Sequence, residues 1–179
     1  MRFKASWVAL SLVIAVMGLA RAEDENPYKT AKIGDWIEYT TAMKGDAVSF
    51  EGGMRQTVTA KTDSECTLEV VMKTPAGEYK QTMKINLNEK YDPRKPVGDT
   101  EATVKELEKG EETLAVAGKS LKTQWTKYEV NSKKGPLTSM IGKAWVCKDV
   151  PLGGMVKAEQ DIKGFGKQTL ELKDFGSAK

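Results

Sequence analysis

The 179-residue sequence predicts an all-β protein, an antiparallel meander of about ten strands curled into a half-open barrel, with few or no helices in the mature chain. Apolar and polar side chains alternate along several runs, which is the pattern of strands with one buried face. Gly- and Pro-containing turn sequences separate these runs. No helix is predicted to cover the apolar face, so the sheet must curl on itself or split into a sandwich.

The first four strands carry the clearest alternation. Each run places its apolar residues on one face and polar residues on the other: Ile37, Tyr39 and Met43; Met54, Val58 and Ala60; Cys66, Leu68, Val70 and Met72; Tyr79, Met83, Ile85 and Leu87. Turn sequences follow at 44–46, 75–77, 117–119, 134–136 and 163–166. Short connections of this kind predict a meander of antiparallel hairpins.

Residues 88–101 and 101–115 are less regular. The first segment, NEKYDPRKPVGDTE, contains two prolines and predicts a solvated connecting loop. The second, EATVKELEKGEETLA, has apolar residues at helical spacing but is interrupted by Gly110. We expect a hairpin that turns near Lys109-Gly110, with a short helix over 101–109 as the alternative.

The stretch WVCKDVPLGGMVKAE, residues 145–159, combines a thiol, a glycine pair and charged residues in the manner of a binding site. Alternation up to Cys147 predicts a strand end, and Pro151 would interrupt a hydrogen-bond ladder. Gly153-Gly154 lets the chain reverse before a return strand that begins near Val156. We interpret the stretch as a corner between two strands.

The amino terminus has the organisation of a secretory signal. Arg2 and Lys4 precede a mostly apolar run at 5–20, and the sequence Ala-Arg-Ala at 20–22 fits a cleavage site. The apolar run is shorter than the roughly 20 residues of a membrane-spanning helix. We expect a cleaved signal peptide at 1–22, a flexible segment at 23–31 and a single β domain at 32–176, located in the periplasm or secreted and not spanning a membrane.

Charge and composition exclude several functions. Arg2, Lys4 and Arg21 leave with the signal, so the 28 basic residues fall to 25 and balance the 25 acidic ones. A neutral mature chain does not attract a phosphate backbone, and we expect no nucleic-acid binding. The chain has no histidine, which removes the usual general base and most catalytic zinc sites. We therefore expect no catalytic residues, metal or cofactor, although a pair of carboxylates remains open.

The two cysteines and one set of apolar residues are the candidate functional groups. Cys66 and Cys147 are compatible with one disulfide or with two buried thiols. The concave face of a curled sheet would gather Tyr39, Met43, Met54, Leu68, Met72, Met83, Trp125 and Trp145. Methionine adapts to varied apolar ligands, whereas small barrels also fill themselves with such side chains.

Four segments carry a resemblance to a known group of proteins: KIGDWIEY, GKSLKTQWTKYEV, AWVCKDVPLGGMVKAE and LELKDFG, spread over residues 32–176. They resemble a family of small secreted bacterial envelope proteins that is similar in architecture to the lipoprotein-carrier half-barrels of the LolA/LolB class. The resemblance implies a curved antiparallel sheet with an apolar concave face.

Two functions are compatible with these features. The first is a non-catalytic envelope protein that binds an acyl chain, a lipoprotein tail or a similar apolar ligand on the concave face. The second is a structural or protein-interaction module of the cell envelope, with a filled core and no ligand.

Overall fold

A computed structural model describes residues 26–45, 49–89, 102–116, 118–132 and 139–177. The predicted signal peptide and residues 90–101 of the predicted connecting loop lie outside the described residues. No helix in the described ranges is long and apolar enough to cross a membrane.

One antiparallel sheet of nine strands accounts for the described chain, where about ten strands were predicted. The strands are β1 (Trp36–Lys44), β2 (Ser49–Lys61), β3 (Glu65–Thr74), β4 (Gly77–Asn86), β5 (Thr103–Val116), β6 (Lys119–Asn131), β7 (Ser139–Val146), β8 (Met155–Ile162) and β9 (Gly166–Gly176). The all-β, antiparallel architecture predicted from the alternation is confirmed.

The strand order is β4-β3-β2-β1-β9-β8-β7-β6-β5. Two meanders, β1 to β4 and β5 to β9, are therefore joined where the first and last strands pair at the centre of the sheet. Strands β4 and β5 form the two edges and are not paired with each other, so the sheet remains open. The connection from β4 to β5 links one edge to the other.

Strand β5 differs from the expected hairpin near Lys109-Gly110 and from the alternative helix. It runs without a turn from Thr103 to Val116 and pairs along its length with β6. Gly110 lies directly opposite Trp125, and a Cβ atom at Gly110 would approach the indole Cζ2 to 2.7 Å. The glycine thus makes room for an aromatic ring on the neighbouring strand and does not form a turn.

Residues 26–31 also differ from expectation, because they are packed and not flexible. Pro27–Thr30 form a single 3-10 turn whose N-cap, Asn26, accepts a hydrogen bond from the Tyr28 amide at 3.1 Å. The Asn26 Nδ2 donates to the carbonyl oxygens of Asn86 at 2.9 Å and Glu89 at 3.2 Å. Tyr28 is fully buried, so this segment belongs to the core of the domain.

A second glycine lies beneath an aromatic ring inside the sheet. Gly142 on β7 is directly opposite Tyr128 on β6, and a Cβ atom there would lie 2.6 Å from the Tyr128 Cζ. Tyr128 is fully buried, so its ring has no free space into which to move. The close packing of β6 on β7 depends on the missing side chain.

We expect Gly142→Ala to lower the free energy of unfolding by about 1–3 kcal/mol, the usual effect of overpacking a core. Gly53→Ala is the matched control, because a Cβ atom there would meet only the Tyr39 carbonyl oxygen at 3.5 Å. Urea unfolding of both variants measures the difference. Equal stabilities of the two variants would contradict the packing described for Tyr128.

Candidate functional site

Six of the eight residues predicted for the concave face do lie together on the inner face of the sheet. Directly opposed residues share a face, and Tyr39 opposes Met54, which in turn opposes Met72. Leu68 opposes Met83 in the next pair of strands. The sixth, Met43, lies on the same face of β1 as Tyr39 and is buried.

The inner face is filled by these side chains. Tyr39, Met43, Met54, Leu68 and Met72 are between 0 and 3 % exposed. A cavity wide enough for an acyl chain would leave its lining side chains beside a space that water could enter. These five side chains adjoin no such space, and only Met83, on the edge strand β4, is partly exposed.

Polar groups are interleaved with the apolar ones on this face. Gln56, Gln160, Gln168 and Thr41 are all buried there. The Gln160 Nε2 donates a hydrogen bond to the Tyr128 hydroxyl at 3.4 Å, and the Tyr39 hydroxyl donates to the Met155 carbonyl at 3.2 Å. The Thr41 Oγ1 and the Gln168 Oε1 are buried without a hydrogen-bond partner among the described residues. Polar groups at these positions make the inner face unlike the predominantly apolar lining of a lipid site.

Trp125 and Trp145 lie on the opposite, outer face of the sheet. They are directly opposed across β6 and β7, and Trp145 also opposes Lys157 on β8. In β7 the inner-face positions are Met140, Gly142 and Ala144, so the alternate set at 141, 143 and 145 points outward. The expectation that both tryptophans lie on the concave face is therefore wrong, because alternate residues of β7 place Trp145, and Trp125 opposite it, on the outer face.

The two tryptophans build an outer-face group that sequence reasoning missed, the tryptophan–lysine cluster of Glu112, Trp125, Lys143, Trp145 and Lys157. The Lys143 Nζ lies 3.9 Å from the centre of the Trp125 ring and 4.5 Å from that of Trp145. The Trp145 Nε1 donates to the Glu112 carboxylate, which also pairs with Lys143. The cluster joins four neighbouring strands through cation–π contacts, one ion pair and one hydrogen bond.

The two cysteines are separate buried thiols in the structure, the second of the alternatives compatible with the sequence. Burial raises the pKa of the Cys66 thiol; the positive charge of Lys61 partly opposes this shift and the negative charge of Asp35 adds to it. The Cys147 Sγ lies 3.9 Å from the Asp149 Oδ2. Neither thiol has the exposed, electropositive surroundings of a reactive cysteine.

A cavity of about 420 Å³ opens at one end of the sheet and is called the end cavity here. Its wall combines the 3-10 turn, the start of β6, the β7–β8 connection and the end of β9. The lining residues are Pro27, Thr30, Ala31, Asp35, Lys119, Cys147, Lys148, Asp149, Val150, Pro151, Leu152, Gly153, Gly154, Phe175, Gly176 and Ser177.

The predicted corner between two strands is confirmed and forms one side of the end cavity. The Cys147 amide donates to the Gly154 carbonyl at 2.8 Å, and Val150 donates to the Cys147 carbonyl at 3.1 Å. Leu152 has a φ of 53°, followed by 95° at Gly153 and 77° at Gly154. Leu152 is a non-glycine residue in this sparsely populated region, whereas the two glycines adopt positive φ readily; together the three residues turn the chain back into β8.

No group of three or more acidic or cysteine side chains in the described ranges is placed to hold a metal ion. The expected lack of catalytic residues and cofactors stays a prediction.

The likeness of this chain to known proteins is a likeness of fold alone. No family model matches the chain. No curated protein matches it either. One solved structure similar to this chain is that of a predicted lipoprotein from Parabacteroides distasonis. The two structures compare with a TM-score of 0.50 at 13% sequence identity, and the match covers 86% of this chain and 100% of that chain. Another is a predicted exported protein with a YmcC-like fold from Bacteroides fragilis, with a TM-score of 0.47, 14% identity, and coverage of 82% and 97%.

At these identities the likeness concerns the path of the backbone over most of the chain. The similarity to LolA/LolB carriers, implied by the sequence motifs, stays a prediction.

We expect Leu68→Ala to lower the free energy of unfolding by about 2–5 kcal/mol, because it leaves a hole in a filled core. Ile141→Ala is the matched control on the outer face, where the side chain is 48 % exposed, and its effect should be within about 0.5 kcal/mol. Chemical denaturation measures both. A small loss for Leu68→Ala would mean that this part of the inner face is not tightly packed.

We also expect the contribution of Cys66 to stability to depend on pH. The folded state raises the pKa of this thiol, so the stabilisation is complete below the unfolded value of about 8.5 and declines as the pH rises toward the folded value. Thermal unfolding of the wild type and Cys66→Ala between pH 7 and 10 should therefore show the wild type losing its advantage at high pH. A constant difference between the two proteins would contradict the burial of the thiol.

Proposed function

We propose that this chain is an exported, non-catalytic module of the cell envelope that acts through its outer surface and carries no apolar ligand on its concave face. The filled inner face is the observation that supports this proposal most strongly. The predicted signal peptide supports export, and the two solved structures of similar fold are described as an exported protein and a lipoprotein.

A carrier of acyl chains needs an apolar surface that is vacant when no ligand is bound. Here Tyr39, Met54 and Leu68 are fully or almost fully enclosed by their neighbours. A ligand could enter only if these side chains moved apart and their mutual contacts were lost. That separation would also expose Gln56 and Gln160, whose amides are buried on the same face.

The edges of the sheet are unsuited to pairing with another strand. Strand β4 presents Glu78, Lys80 and Lys84, and Lys84 pairs with Glu65 at 2.9 Å. Strand β5 presents charges of both signs: Lys105, Glu106, Glu108, Lys109, Glu111 and Glu112. Charged residues along an edge discourage strand addition. A protein partner would therefore meet the face or the ends of the sheet and not its edges.

The proposal of a non-catalytic function rests on which potentially catalytic side chains the protein has and on where they lie. The sequence has no histidine, and both thiols are buried. The one buried acidic side chain of the described residues is Asp35, which has no second buried carboxylate beside it in that part of the chain. Paired-carboxylate chemistry needs two such groups at a fixed separation.

Native mass spectrometry of the mature protein, purified from an envelope extract without detergent, tests this function. We expect the mass of the polypeptide alone or with a protein partner, and no added mass that organic extraction removes. Incubation with palmitate should leave the spectrum unchanged, because the inner face offers no vacant apolar surface.

Extra mass on the wild-type protein that disappears on organic extraction would contradict the proposal and restore the carrier function. A protein that is always monomeric, without a partner even after crosslinking in the intact envelope, would contradict the interaction role.

A further inference from the structure

We propose that the end cavity binds a small zwitterionic ligand, a short peptide with free termini, and that Asp35 receives its ammonium group. This site is separate from the outer surface assigned to protein contacts, and its ligand is polar and not an acyl chain. The proposal rests on one buried carboxylate, on the charges of the cavity wall and on the rigidity of the segments that hold them.

Asp35 is a buried acid in the wall of the cavity with half of its carboxylate unused. The residue is 6 % exposed, and its Oδ2 accepts a hydrogen bond from the Lys32 amide at 2.8 Å. Its Oδ1 is buried and has no hydrogen-bond partner among the described residues. Leaving such an acceptor unsatisfied is unfavourable, and a ligand that donates to it would recover that free energy.

The donor that suits a carboxylate best is a positively charged nitrogen, because charge-assisted hydrogen bonds are about twice as strong as neutral ones. The backbone near Asp35 is already committed: the Asp35 carbonyl accepts from the Val58 amide at 2.9 Å, and the Asp35 amide donates to Lys32 at 3.0 Å. These bonds hold the backbone at Asp35, and the bond from the Lys32 amide to the Oδ2 orients the carboxylate.

The remaining charges of the wall indicate that the ligand carries a negative group as well. Lys119 and Lys148 line the cavity with Asp35 and Asp149, so the acidic and basic side chains are equal in number. The Lys119 Nζ lies 4.2 Å from the centre of the Phe175 ring, which holds this cation at the cavity wall. Such a balanced set matches a ligand with one ammonium and one carboxylate.

The size and shape of the cavity agree with a short peptide. A volume of about 420 Å³ is at the lower end of the range of roughly 300–1,000 Å³ for small-molecule sites. Gly153 and Gly154 line part of the wall with backbone alone, which can approach a peptide closely.

The test compares three ligands on the same protein: trialanine, its N-acetyl derivative and its C-terminal amide. Calorimetry gives affinities, and amide chemical shifts of Gly153, Gly154 and Ser177 report binding at this cavity. We expect trialanine to bind at least tenfold more tightly than the N-acetyl derivative, which lacks the ammonium group. The amide should also bind more weakly, and free alanine tests whether a single residue is enough.

Asp35→Asn is the decisive variant, because its amide oxygen can still accept from the Lys32 amide while the charge is lost. We expect it to bind trialanine at least tenfold more weakly and to lose the preference for a free amino terminus. Asp161→Asn, at an exposed position of β8, is the matched control and should behave as the wild type.

Failure of trialanine to shift the cavity amides at millimolar concentration would overturn the proposal. Equal affinity for trialanine and its N-acetyl derivative would also overturn it, and this comparison requires no variant. None of these outcomes depends on whether the outer surface binds a protein partner, so the two proposals fail independently.

Discussion

A sheet of nine strands with one apolar face has to bury that face, and no helix in the described chain is available to cover it. The structure satisfies this constraint by curling the sheet until its own side chains fill the concave side. Large residues such as Tyr39 and Tyr128 reach across the interior and are fully buried. Core packing in proteins is as dense as in organic crystals, so a filled interior of this kind has little room for a guest molecule.

The same constraint explains where the other features lie. Residues 26–31 pack against the sheet, with Tyr28 in the core and the Lys61 Nζ donating to the Ala31 carbonyl at 2.7 Å. The pairing of β1 with β9 holds the two meanders together at the centre. The end cavity lies where the 3-10 turn, the β7–β8 corner and the end of β9 meet. The outer face is stabilised separately by the tryptophan–lysine cluster.

The sequence was informative where the signal is local. Alternation with a period of two is set by the strand backbone itself, so the strands and their inner-face residues in β1 to β4 could be predicted. The corner at 147–154 could also be predicted, because proline and glycine act on the backbone at their own positions. These parts need no knowledge of what the strands contact.

The parts that could not be predicted depend on partners distant in sequence. In the sequence Gly110 resembles a turn residue. Only the structure shows that its lack of a side chain makes room for Trp125 on the neighbouring strand. In β7 both alternating sets contain apolar residues, Met140 and Ala144 in one and Ile141 and Trp145 in the other, so parity alone does not reveal the inner face. The end cavity is built from residues between 27 and 177, and no local pattern brings Asp35 and Lys119 to the same cavity.

A crystal structure of the mature protein, purified from the envelope without detergent, tests the filled interior most directly. The account predicts that the side chains of Tyr39, Met54, Leu68 and Tyr128 are buried in a filled core, with no elongated density beside them. Continuous density for an acyl chain along the concave face, with these side chains displaced around it, would contradict the account.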